Sequence, residues 1–68
     1  MSMNLTLTDL IINELRLIHW VNDPNQIVIH SKKLKGNNLK LCYSIQSIGI
    51  LNRYVEWDIG DWLKIINL

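Results

Sequence analysis

The sequence has little of what usually staples, punctuates or spans. A single cysteine, Cys42, excludes an internal disulfide and with it the cysteine-rich secreted scaffolds. The longest apolar runs are three residues, as in Leu10-Ile11-Ile12, far short of the ~20 needed to span a bilayer as a helix. One proline and three isolated glycines leave no flexible linker, no low-complexity block and no phosphate-cradling loop. Phenylalanine and alanine are absent. The start, Met1-Ser2-Met3-Asn4, has no basic stretch before an apolar one. No secretory signal is therefore expected, Asn4-Leu5-Thr6 is not expected to be glycosylated, and the expected compartment is the reducing cytoplasm.

What remains is enough for one small domain spanning 1–68. The chain has 68 residues, 49% apolar and 19% charged, which is the composition of a folded protein and not of a disordered tail. At this length only about 60% of the unfolded surface is buried on folding, so stability is small and a partner can add to it. Eleven isoleucines and eight asparagines, with no alanine, match the codon bias of an AT-rich genome, and a phage or mobile element is the expected source.

The spacing predicts a helix over 8–21. Thr8 is placed to cap it, Leu7 and Ile12 have hydrophobic-staple spacing, and Asp9 favours the positive end of the helix dipole. Pro24, after Asn22-Asp23, ends the segment. Gln26–His30 is short and β-branched. Leu39, Leu41, Tyr43 and Ile45 alternate with Lys40, Cys42, Ser44 and Gln46, the pattern of a strand with one wet face. Between them, Lys35-Gly36-Asn37-Asn38 supplies turn residues. Residues 47–52 fit strand, bulge or loop, and Arg53–Trp57 reads as a third strand. Ile59, Trp62, Leu63 and Ile66 form one stripe of a short helix over 59–67 with Asp58 as its cap. The expected fold is α+β: an N-terminal helix, a three-stranded antiparallel meander and a short C-terminal helix, both helices on one face of the sheet.

Residues that carry chemistry are sparse. His19, His30, Cys42 and Asp23 lack the spacing of a four-ligand zinc site. His30 would neighbour Cys42 only if the hairpin register allowed it, so the thiol reads as a bystander. No carboxylate pair is placed for general acid–base work, since Glu14 and Glu56 are the only glutamates. The expectation is therefore no enzyme, no metal and no cofactor.

Surface features are more informative. Lys32, Lys33, Lys35 and Lys40 fall within nine residues that hold no acid, whereas the rest of the chain has three basic and six acidic side chains. A basic hairpin on an acidic body suits either an acidic protein surface or a phosphate backbone. On the first helix, Ile11, Ile12, Leu15 and Ile18 share one face, with His19 beside them. Leu10, Leu17 and Val21 lie roughly opposite, with Trp20 nearby. Apolar residues on two faces mean burial on two sides, and one three-stranded sheet covers only one of them. Leu10, Leu17, Trp20 and Val21 are therefore the candidate protein interface, most simply in a two-fold homodimer. Trp62 and Trp57 read as core. The expected function is that of a small non-catalytic, protein-binding regulator, inhibitor or adaptor with no membrane partner. The alternative is a nucleic-acid-binding regulator that uses the lysine hairpin.

Overall fold

The computed structural model describes residues 5–66. It is α+β, with the expected order of elements. Helix α1 covers Leu7–His19, and strands β1 (Val28–Lys35), β2 (Asn38–Ile45) and β3 (Ile50–Asp58) form an antiparallel sheet in the order β1-β2-β3. Helix α2 is a single turn, Gly60–Leu63.

Helix α1 starts earlier than the Thr8 cap implies. Thr6 is the cap: its Oγ1 accepts from the Asp9 N–H at 3.1 Å, and the Asp9 carboxylate accepts from the Thr6 N–H at 3.1 Å. This reciprocal box satisfies two donors at once, which Thr8 cannot do because Ile11 stands three residues beyond it. The helix also ends before residue 21. Trp20 adopts a left-handed conformation (φ 57°), and the Trp20 and Val21 N–H groups both bond back to the Arg16 carbonyl.

The hairpin between β1 and β2 closes through Gly36-Asn37. Gly36 has φ 61° and Asn37 has a negative φ, the sign pattern of a type II′ turn, which takes glycine at its first central position. Both strands run right up to this turn. β1 is therefore longer than Gln26–His30, and the lysines belong to the strands rather than to a loop. A register shift between Ile29 and Ser31 leaves His30 in a bulge. The ambiguous segment 47–52 resolves into a 3-10 turn over Gln46–Ile48, a left-handed Gly49 and the start of β3.

The expected C-terminal helix over 59–67 is cut short, and residue 67 lies outside the described residues. Asp58 does not cap it in the expected way. Its Oδ1 accepts from the Gly60 N–H at 2.9 Å, a tight side-chain turn, while Ile59 occupies the cap position. The Ile59 N–H bonds to the Asn37 carbonyl at 2.8 Å, which ties the end of β3 to the hairpin turn.

The core lies between the helices and one face of the sheet. Ile11 and Leu15 from α1 meet Leu39, Leu41, Tyr43 and Ile45 from β2, with Val21, Ile27, Ile50 and Ile59 at the margins. Trp57 and Trp62 pack edge to face at 6.0 Å and are half-buried against this cluster. In a chain without phenylalanine, these two indoles and Tyr43 supply the bulky ring surface of the core.

Candidate interaction surfaces

The outer side of α1 divides the four candidate interface residues. Leu17 is 66% exposed and Trp20 is 90% exposed, whereas Leu10 is half-buried and Val21 only 5% exposed. Val21 is thus corrected to a core residue: the left-handed turn at Trp20 folds the chain back and carries Val21 inward. It still floors a recess of about 310 Å³ that Asn13, Arg16, Leu17, Trp20 and Asn22 also line. Leu10, two turns up the helix, is not part of that recess.

Trp20 is the unusual member. Left-handed backbone costs a residue with a side chain about 1–2 kcal/mol, so this position at a helix end favours glycine. Trp20 instead presents its indole almost wholly to solvent, where it adds nothing to the core. The Arg16 Nε donates to the Val21 carbonyl at 3.3 Å, which holds the turn beneath the indole.

The four lysines do not form one patch. Lys32 pairs with Leu41 and so lies on the helix side of the sheet, where its Nζ donates to the Thr8 hydroxyl. Lys33 and Lys40 are cross-strand neighbours on the opposite, open side, and Lys35 follows Lys33 there by alternation. Lys40 is paired with Glu56 across the sheet at 3.6 Å. Two lysines on the open face thus carry charge without an ion pair among the described residues: Lys33 and Lys35. A shallow recess of about 410 Å³ on this face is lined by Ser31, Lys33, Lys40, Tyr54 and Glu56.

The open face also holds Cys42 and His30. Cys42 faces Ser31 and Tyr54 across the sheet, not His30. Hydrogen bonding with the Cys42 thiol, and then that thiol's charge when ionised, raise the Tyr54 phenol above its ordinary pKa. His30, displaced by the bulge, instead sits 2.7 Å through Nε2 from the Ser44 hydroxyl, which also accepts from the Asn52 N–H at 2.8 Å. Ser44 is buried and lines neither the recess on the open face nor the one at the end of α1. The trio thus closes the irregular ends of β1 and β3. Sequence reading missed it because a bulge at His30 and a positive φ at Asn52 (46°) set the register.

On the covered face, the His19 Nε2 lies 2.7 Å from the Tyr43 hydroxyl. Burial, and then the positive charge of Arg53, lower the His19 pKa below its ordinary 6.5 and favour the neutral ring. Among the described residues, no three His, Cys, Asp or Glu side chains come together to hold a metal, and no helix is long and apolar enough to cross a membrane. No known protein family, curated protein or solved structure matches the chain.

Proposed function

We propose that this chain is a small, non-catalytic protein-binding module, and that the outer side of α1 around Leu17 and Trp20 is its binding surface. One observation carries the reading. A tryptophan occupies a left-handed helix end that favours glycine, and it exposes 90% of its surface there. Tryptophan is enriched among the residues that dominate binding energy, because it buries a large, rigid area at small entropic cost. Leu17 and the floor at Val21 supply the apolar surroundings such an anchor requires. A partner that suits this surface offers an apolar or aromatic side chain to the recess and polar groups to Asn13 and Asn22. The nucleic-acid alternative draws less support, because the lysines divide between two faces and Lys40 is paired with Glu56.

The test separates folding from binding. Trp20→Gly removes the indole and suits the backbone, so the variant is expected to fold as well as the parent and to gain about 1 kcal/mol of stability. Capture from the native host, mass spectrometry, and titration of the purified partner then compare the variant with the parent. The expected result is affinity at least about 100-fold weaker in Trp20→Gly, as for a central anchor. A partner bound equally well by the parent, Trp20→Gly and Leu17→Asp would remove the surface from the proposal.

A further inference from the structure

The sheet has two outer edges, and they differ. β1 carries Lys32, Lys33 and Lys35 and the His30 bulge, features that discourage pairing with another strand. β3 is nine residues long and contains no lysine or proline. Among the described residues, its backbone bonds only to β2.

The direction of its free groups follows from one bond. The Ile59 N–H reaches the Asn37 carbonyl at 2.8 Å, and this pair continues the β2–β3 register. In an antiparallel ladder, hydrogen-bonded pairs alternate with pairs that are not. Trp57, Val55 and Arg53 therefore direct their backbone groups toward β2, whereas Asp58, Glu56 and Tyr54 direct theirs outward at the free edge.

Beside that edge lies a recess of about 390 Å³, lined by Glu14, Glu56, Trp57, Asp58, Ile59 and Trp62. It has acidic rims, indole walls and no basic residue. Arg53, exposed on the same strand, faces the helix side of the sheet opposite Tyr43.

We propose that β3 pairs antiparallel with β3 of a second copy, about a two-fold axis at Val55. In this register Tyr54 and Glu56 of one copy exchange backbone hydrogen bonds with Glu56 and Tyr54 of the partner subunit, about four in all. Arg53 falls opposite the partner's Trp57, on the helix side. That pair is not hydrogen-bonded, so its side chains approach most closely. The guanidinium enters the recess, over an indole face and beside the partner's Glu14. Shifting the axis by one residue toward Glu56 would oppose the two Glu56 carboxylates, and a shift toward Tyr54 would leave Arg53 facing the partner's Val55. The second copy is the occupant because β3 supplies both the cation and the wall of the acidic recess. The proposal does not rest on the recess around Leu17 and Trp20, although Glu14 stands one turn before Leu17 on the same helix.

Light scattering of the full chain at high micromolar concentration is expected to report twice the chain mass. Arg53→Glu is expected to weaken self-association about 100-fold, because it places a carboxylate in an acidic recess twice per dimer. Glu14→Arg combined with Arg53→Glu is expected to restore it, with circular dichroism confirming that each variant folds. Trp20→Gly is expected to leave the dimer intact, since Trp20 lines the recess at the end of α1 and not the one beside β3. A monomeric parent overturns the proposal, as does a dimer that survives Arg53→Glu. A dimer that Trp20→Gly abolishes would assign self-association to the end of α1 instead. Failure of the double variant to recover the dimer while folded would refute the Arg53–Glu14 contact and the register with it.

Discussion

Along the central strand β2, side chains on the two faces of the sheet are buried to similar depth by different means. On the helix side, Leu39, Leu41, Tyr43 and Ile45 of β2 are at most 2% exposed beneath Ile11 and Leu15. On the open side, where neither helix lies, Cys42 is 4% and Ser44 6% exposed. Their cover is lateral. Ser31 and Tyr54 flank Cys42, and His30 and Asn52 close over Ser44. Burial on the first face comes from joining two layers. On the second it comes from being the middle of three strands. Low exposure alone therefore does not locate a core, and the two kinds of burial should respond differently to deletion.

The sharpest test sets adjacent residues of β2 against each other. Leu41→Ala opens a cavity between the layers and is expected to cost about 2–5 kcal/mol. For so small a domain that approaches its whole stability, so the variant should be largely unfolded at room temperature by circular dichroism. Cys42→Ala, one residue away, removes a small group from beneath a lateral roof and is expected to cost about 1 kcal/mol in urea melts. Equal losses would show that the open face is packed as tightly as the covered one.

Ser44→Ala falls between these. It leaves the Asn52 N–H and the His30 ring without their partner, at an expected cost of about 1–3 kcal/mol. The damage should be local, and amide exchange should quicken at Asn52 before it does in β2. Uniform acceleration across the sheet would mean that the trio supports the whole fold and not only its irregular end.

The smallest effect is one of pH. His19 has a lowered pKa in the folded protein, so the fold binds fewer protons than the unfolded chain below about pH 6.5. The stability this contributes is fully present above that pH and is lost as pH falls through the folded value. Urea midpoints should drop between about pH 8 and about pH 5.5 in the parent, and drop less in His19→Gln. Identical drops in both proteins would place the sensitivity elsewhere.

Local signals carried the architecture. The alternation from Leu39 to Ile45, the turn residues at Gly36-Asn37 and the 3.6-residue stripe of α1 each reflect a periodicity that the backbone imposes on its own neighbours. The capping box was legible too, since Thr6 and Asp9 have the required spacing, although Thr8 is equally suited as a single cap. A helical wheel puts Trp20 on the outer side, where it is exposed, but puts Val21 there too, although Val21 is buried. A wheel continues the helix indefinitely, and the left-handed turn at Trp20 ended it.

Amino-acid order by itself thus determined the order of helix and strands, that one core closes them, and that apolar residues at Leu17 and Trp20 would remain outside it. Tertiary structure alone decided the rest. The bulge at His30 and the positive φ at Asn52 set which side chains meet, so Ser44 rather than Cys42 became the partner of His30. Pairing with β2 carried β1 through Lys35, and so placed Lys32 and Lys33 on opposite faces and divided a cluster that looks continuous in sequence. The packing of α1 beside β3 brought Glu14 to Trp57, over forty positions away. Periodicity is a property of neighbours along the chain. Register, edge and recess depend on contacts between distant segments, and no local pattern encodes those distances.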